Sequence, residues 1–181
     1  MRFAGRALTR NKLGYIQGAY DGKVREYFYF ISHEGRLFLD DTKHKNFTSS
    51  YKDVQFLNFF YRMLKENSSD KWAPEFPWIS RCGIERNFVR ADDRPVVYTK
   101  LDRVAGKLKI GESALEVDFE PNGLSVGARN GRLYHPSRIG IGLVASRLAD
   151  ELFPHCRFNE EGRAVELRWR GQLYPMGIVQ R

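Results

Sequence analysis

The sequence predicts an α+β fold, in which a mostly antiparallel β-sheet carries two principal packed helices within a single domain. Three observations predict it: short strand-like runs around glycine turns, two stretches with helical apolar spacing, and no linker after residue 24. With 181 residues, of which 42% are hydrophobic, the chain is long enough to bury a core. We therefore expect residues 25–181 to form one domain.

Most predicted strands are bounded by turn residues. The first pair is "VREYFYFI" and "RLFLD", which flank "HEG" and predict a hairpin. Asn130-Gly131 is the strongest short hairpin signal in the chain. Further strands are predicted at about 84–91, 95–101, 107–110, 114–119 and 124–134. The last stretch, "AVELRWRGQLYPMGIV", alternates apolar and polar residues and then turns at Gly171.

Two stretches show helical spacing of apolar residues. Asp53 is predicted to cap the first helix, in which Val54, Leu57, Phe60 and Leu64 share a face. The second helix is predicted to begin after Pro136-Ser137 and to end before Pro154. Its apolar face would contain Ile141, Val144, Ala145, Leu148 and Leu152.

The N-terminal segment carries half of the net charge of +8, with five basic residues and one acid in residues 1–24. Arg2, Arg6 and Arg10 fall four apart, and no acid precedes Asp21. An acid-free, arginine-rich amphipathic start is typical of a mitochondrial transit peptide, so we expect residues 1–24 to be a disordered presequence and the protein to reside in the matrix. The alternative is an ordinary basic tail.

Composition argues against several classes of protein. No apolar run approaches the roughly 20 residues needed to cross a bilayer, which predicts a soluble protein. Cys82 and Cys156 lie far apart without partner motifs, so we expect free thiols in a reducing compartment and no metal site. No dinucleotide or phosphate-loop signature is present, and the sequence leaves any cofactor unknown.

The stretch "IERNFVRADDRPVVY" breaks the strand pattern, because neither of its faces is cleanly apolar. Arginine forks suit carboxylates and phosphates, and a phenylalanine between two guanidinium groups could stack on a flat group. The predicted ligand-binding residues are Arg81, Arg86, Phe88, Arg90 and Arg94. The alternative is an edge strand whose arginines pair with Glu85, Asp92 and Asp93.

Four residues are candidates for acid–base chemistry: Asp40, Asp41, Glu85 and His135. Asp40 and Asp41 follow a strand that should be buried, but neighbours on an extended chain point to opposite faces, so at most one would enter a given site. The structural alternatives are an Asp that caps a turn and a His135 that is satisfied within the core.

Three stretches, "REYFYFISHEGRLFLDDTKHKNF", "FPWISRCGIERNFVRADDRPVVY" and "NGRLYHP", resemble uncharacterised protein family 0598. The likeness runs from about Arg25 to Leu152. Animal members of that family look mitochondrial, so the resemblance implies the same compartment. It implies no catalytic residue, cofactor or substrate.

Together these observations favour a mitochondrial accessory or assembly factor that binds an anionic ligand or partner through the arginines, because no nucleophile, metal or cofactor motif is readable. The first alternative is a small enzyme acting on a phosphorylated or carboxylated metabolite. The second is an RNA-binding protein, whose affinity would fall steeply with salt. The sequence leaves the oligomeric state open.

Overall fold

The computed structural model describes residues 13–180 and is mostly β-structure, with 42% of the residues in strands. The predicted α+β architecture is wrong in this respect. Within the described chain the only α-helices are α1, Val54–Met63, and α2, Ser146–Leu152, which have 10 and 7 residues. Three sheets, rather than one sheet covered by two principal helices, make up the molecule.

The first sheet contains six strands in the order β1-β2-β6-β5-β4, with β3 also pairing with β2. Of these, β2 and β6 run parallel and the other neighbours antiparallel. The predicted first hairpin is confirmed as β2 and β3. The strands are β1, Ala19–Asp21; β2, Val24–Ile31; β3, Leu37–Leu39; β4, Leu64–Glu66; β5, Trp78–Cys82; and β6, Glu85–Ala91.

The second sheet has seven strands and the third has three. Their strands are β7, Val97–Asp102; β8, Lys107–Ile110; β9, Glu116–Asp118; β10, Ser125–Gly127; β11, Leu133–Ser137; β12, Gly140–Val144; β13, Cys156–Phe158; β14, Ala164–Trp169; β15, Gln172–Pro175; and β16, Gly177–Val179. The second sheet has the order β16-β10-β11-β12-β7-β8-β9, and the third has the order β13-β14-β15. Asn130-Gly131 lies between β10 and β11, as predicted.

The second predicted helix is largely absent because its first half forms strand β12. β11 and β12 pair as an antiparallel hairpin, and Gly140 adopts the positive φ of 98° that such a turn requires. A Cβ on Gly142 would lie 2.6 Å from the Tyr98 ring, so glycine at this position lets the neighbouring strand pack closely. A buried strand followed by a short helix therefore produced the apolar spacing from which one longer helix was predicted.

The first helix agrees with the prediction. Asp53 has an extended backbone, and its Oδ1 accepts a hydrogen bond from the backbone N–H of Phe56 at 2.9 Å. This contact satisfies one of the free amides at the helix start. Leu57 and Phe60 are buried in the main core, which draws on both large sheets and both helices. No helix among residues 13–180 is long and apolar enough to span a membrane.

A second, smaller core covers the other face of the first sheet and includes part of the N-terminal segment. Tyr15 is buried, and its ring stacks on Phe28 with centroids 3.9 Å apart. Gln17 exchanges two side-chain hydrogen bonds with the backbone of Phe28. Tyr15 and Gln17 are therefore ordered, against the expectation that residues 1–24 are disordered, whereas residues 1–12 lie outside the described chain.

Candidate functional site

Strand register places the predicted arginines on one face of the first sheet. On the parallel pair β2 and β6, Glu26 lies opposite Arg86 and Phe30 lies opposite Arg90. Because side chains alternate along a strand, Arg86, Phe88 and Arg90 point to the same side. We call this side the arginine face, and it consists of Glu26, Phe28, Phe30, Arg86, Phe88 and Arg90.

The charge of Arg86 is balanced by acids of the same chain. Its Nη1 lies 3.2 Å from Glu26 Oε1 and 3.6 Å from Asp21 Oδ2. Lys71 Nζ lies 2.8 Å from Glu26 and 3.0 Å from Asp21, and its hydrogen bond lowers the pKa of Asp21. Two cations and two carboxylates therefore form one closed network, with Glu26 buried at its centre.

Arg90 is balanced by Asp40, which is only 5% exposed. Arg90 Nε donates to Asp40 Oδ1 at 2.5 Å, and the Tyr15 hydroxyl donates to Asp40 Oδ2 at 2.5 Å. Burial, helped by the bond to Asp40, raises the pKa of Tyr15 well above its ordinary value. Asp40 thus ties the N-terminal segment to β6, while its exposed neighbour Asp41 accepts a bond from Gln17 Nε2 at 3.2 Å.

The remaining predicted ligand residues do not gather around an open site. Phe88 is completely buried and stacks on Phe28 with centroids 5.2 Å apart, so its ring faces no ligand. Arg81 lies opposite Arg86 on β5, is exposed, and has no carboxylate within 4 Å among the described residues. Arg94 is half-buried just before β7.

The four acid–base candidates are separated. Glu85 precedes Arg86 on β6 and so faces the opposite side of the first sheet from Arg86 and Arg90. His135 is 2% exposed on β11 of the second sheet, where its Nε2 accepts from the backbone N–H of Glu120 at 2.9 Å. Burial lowers the pKa of His135, which favours the neutral ring. Asp40, Glu85 and His135 consequently do not converge on one substrate.

A cleft of about 590 Å³ opens instead where the first and second sheets meet. The β2–β3 turn, strands β7 and β8, and the start of α2 form its walls. We call it the lysine cleft, and its lining residues are His33, Glu34, Arg36, Phe47, Thr99, Lys100, Lys109, Gly111, Glu112, Ala145, Ser146 and Arg147.

Two lysines occupy paired positions on adjacent strands of the sheet that forms one wall of the cleft. In the antiparallel pair of β7 and β8, Lys100 is the register partner of Lys109, next to a register shift between Tyr98 and Lys100. Like charges directly opposite on neighbouring strands are destabilising. Among residues 13–180 neither lysine has a carboxylate within 4 Å, although Glu116 of β9 is the register partner of Lys109 on its other side.

The carboxylates of the cleft are already engaged. Arg36 Nη1 lies 2.5 Å from Glu34, and Arg36 Nε lies 3.5 Å from Glu112. Arg147 on α2 is highly exposed and has only a distant contact, 3.9 Å, with Glu151. The cleft therefore contains an internally paired group around Arg36. It also contains three cations without a close carboxylate partner in the described part of the chain: Lys100, Lys109 and Arg147.

Gly111, one of the lining residues of the cleft, approaches Gly35 closely. Gly35 and Gly111 both have positive φ, and a Cβ on Gly111 would lie 2.8 Å from Gly35 O and 2.9 Å from the Tyr61 hydroxyl. That hydroxyl is buried and has no hydrogen-bond partner among the described residues. Burial raises the pKa of Tyr61, so the group stays neutral.

Phe47 adds an aromatic surface to the cleft. Phe47 is 60% exposed, and Lys52 Nζ lies 3.5 Å from the centroid of its ring. None of the cleft's cations was singled out from the sequence. Lys100 of "YTKLD" and Lys109 of "KLKI" are visible in the sequence, but only the β7–β8 register shows that they occupy paired positions.

Comparison with known proteins shows the family but no activity. Residues 17–178 match the family described as "Domain of unknown function (DUF4505)", so the chain belongs to that family. Solved structures that match the chain include two crystal structures of DUF1285 family proteins. The one from Silicibacter pomeroyi DSS-3 has 14% identity and a TM-score of 0.49, over 96% of this chain and 92% of its own. The one from Shewanella baltica OS155 has 13% identity and a TM-score of 0.45, over 69% and 89%.

Proposed function

We propose that the protein binds a small anionic metabolite in the lysine cleft, and that it acts as a binding or accessory factor. The observation that carries the proposal is the direct opposition of Lys100 and Lys109 on neighbouring strands. Like charges at directly paired positions on neighbouring strands repel each other, and a carboxylate or phosphate bound between them would be attracted to both.

The other features of the cleft support an anion over a neutral or cationic ligand. Arg147 adds a third cation from α2, and Arg36 keeps Glu34 and Glu112 occupied. Phe47 offers a face for a flat or apolar portion of the ligand. A volume of about 590 Å³ suits a metabolite, since small-molecule pockets measure roughly 300–1,000 Å³.

The proposal moves the anion site away from the arginines that the sequence indicated. Arg86 and Arg90 already contact buried carboxylates, so an incoming anion would have to compete with Glu26 and Asp40. Binding is favoured over catalysis because Asp40, Glu85 and His135 lie in three different surroundings.

The test compares small molecules retained by the purified protein, measured by mass spectrometry, and titrates inorganic pyrophosphate and citrate by calorimetry at low salt. The double variant Lys100→Gln, Lys109→Gln should lose the retained anion and weaken probe binding by about tenfold or more, since charge-assisted bonds contribute about 1.5–3 kcal/mol each.

The matched control is Lys107→Gln, which removes the same charge from β8 at a lysine that pairs with Asp118 at 2.6 Å outside the cleft. The double variant Arg81→Gln, Arg86→Gln separately tests Arg86 of the arginine face together with Arg81, its register partner on β5. Equal retention by the wild type and the cleft variant, or loss only in the arginine-face variant, would remove the lysine cleft from consideration.

We further propose that the protein is mitochondrial. The acid-free run with Arg2, Arg6 and Arg10 supports this. Because Tyr15 and Gln17 pack against the domain, a targeting segment would end before them. A reporter fused to residues 1–12 should enter mitochondria, whereas a fusion with those three arginines changed to glutamine should stay in the cytosol. Cytosolic retention of the unmodified fusion would contradict the proposal.

A further inference from the structure

A second cationic cavity, of about 280 Å³, lies between the β7–β8 turn, the end of α2 and the β14–β15 hairpin. We call it the arginine pocket. Its polar lining residues are Arg103, His155, Arg168 and Arg170, and the buried side chains of Leu152 and Leu167 form its apolar base. No carboxylate is among its lining residues.

Two of the three guanidinium groups are held by neutral acceptors. Arg103 Nη1 donates to His155 Nε2 at 2.9 Å, and Arg103 Nη2 donates to the Glu151 carbonyl at 3.0 Å. Arg170 Nη2 donates to the carbonyls of Val104 at 2.7 Å and Arg103 at 3.2 Å. Such contacts orient the arginines without cancelling their charge, because carbonyl and imidazole acceptors carry no net charge.

Arg168 completes the pocket as an exposed cation. It lies on β14 opposite Leu173, and its side chain has neither a hydrogen bond nor an ion pair with any of residues 13–180. By contrast, Arg157 of the same small sheet pairs with Glu166 at 2.9 Å. The sheet therefore pairs one arginine and leaves the one beside the cavity unpaired.

The backbone conformation of Arg170 is a further observation about the arginine pocket. Trp169 and Gln172 are register partners, so Arg170 and Gly171 form the two-residue turn, with φ of 47° and 83°. A turn with positive φ at both positions favours Asn-Gly, and a long side chain at the first position is unfavourable there. The arginine therefore occupies a position that local turn chemistry would give to another residue.

We propose that the arginine pocket binds a phosphate group of a small phosphorylated molecule. Three arginines line one cavity and have no carboxylate partner among residues 13–180, so their charge complements that of a phosphate. A guanidinium group also suits the paired hydrogen-bonding geometry of phosphate oxygens. This site is separate from the lysine cleft, and the proposal made for it does not depend on the function proposed for the cleft.

The test is calorimetric titration of the full chain with inorganic pyrophosphate at low salt, with Arg168→Gln and Arg170→Asn as the variants. Each should weaken binding at one site by about tenfold or more, given about 1.5–3 kcal/mol for a hydrogen bond to a charged group. Arg170→Asn creates the favoured Asn-Gly turn and should also raise the melting temperature, so weaker binding in that variant does not arise from unfolding.

Arg157→Gln is the matched control, because it removes an arginine from the same sheet and should leave pyrophosphate binding within about twofold, as expected for an exposed pair. The cleft variant Lys100→Gln, Lys109→Gln should likewise leave this site intact. Equal weakening by Arg157→Gln, or unchanged binding in both pocket variants, would overturn the proposal. The proposal would also be overturned if a short single-stranded RNA bound more tightly than pyrophosphate and all these substitutions weakened RNA binding to the same extent.

Discussion

The arginine face and the lysine cleft both contain cations, but the partners of those cations differ. On the arginine face, Arg86 and Arg90 each meet a buried carboxylate, Glu26 or Asp40. In the lysine cleft, the register partner of Lys100 is another cation, Lys109. Cations that are neutralised from within hold the chain together, whereas cations left unpaired beside a cavity are available to a ligand. Partner geometry, and not the number of basic residues, separates structural from binding sites.

The largest expected effect is on the arginine face. Asp40→Ala should lower the free energy of unfolding by about 2–4 kcal/mol, because it leaves the buried Tyr15 hydroxyl and Arg90 without their shared acceptor. Urea denaturation of Asp40→Ala and Asp41→Ala provides a matched comparison. Asp41 is exposed, so its loss should cost less than about 1 kcal/mol. Equal losses would show that Asp40 is not the structural partner assigned to it here.

The second-largest loss of stability is expected in the ion-pair network around Glu26. Glu26→Gln should destabilise the protein by about 1–3 kcal/mol, since Lys71 and Arg86 then repel each other without a buried carboxylate between them, although both are partly screened by solvent. Glu85→Gln on the opposite face should change stability by about 0.5 kcal/mol or less. If Glu26→Gln left the free energy of unfolding unchanged, the cations of the arginine face would not depend on this carboxylate, and the contrast with the cleft would be lost.

A smaller effect of opposite sign is expected in the cleft. Lys109→Gln should stabilise the ligand-free protein by about 0.2–1 kcal/mol at low salt, because it removes a like-charge pair. The gain should shrink at high salt, where exposed charges are screened. Lys107→Gln, which breaks the pair with Asp118, should give no such gain. Destabilisation by Lys109→Gln in thermal melts would mean that Glu116 already compensates the lysine.

The smallest change in stability is expected at Tyr61, whose hydroxyl lies close to Gly111 of the cleft. Removing its unpartnered hydroxyl in Tyr61→Phe should leave stability unchanged or slightly raised, within about 0.5 kcal/mol. Tyr98→Phe is the matched change, because the Tyr98 hydroxyl donates to the Pro136 carbonyl at 2.5 Å and its loss should cost about 0.5–1.5 kcal/mol. A clear loss of stability in Tyr61→Phe would show that the hydroxyl has a partner, for example a bound water.

Local signals predicted several elements correctly. The Asp53 cap, the β2–β3 hairpin and the Asn130-Gly131 turn each depend on a few adjacent residues, so short sequence windows were sufficient. The second predicted helix failed because Ile141, Val144 and Leu148 fit helical spacing while residues 140–144 belong to a strand. Spacing alone could not distinguish the two, since a buried strand need not alternate.

The sequence by itself determined the local turns and caps and the charge that the chain carries, because these depend on neighbouring residues. Only the tertiary structure decided which cations are satisfied, since Asp40 and Arg90 are 50 residues apart and meet through strand pairing. The same register set Lys100 against Lys109. Long-range pairing brings distant charges within a few ångströms of each other, where attraction or repulsion becomes strong enough to define a site.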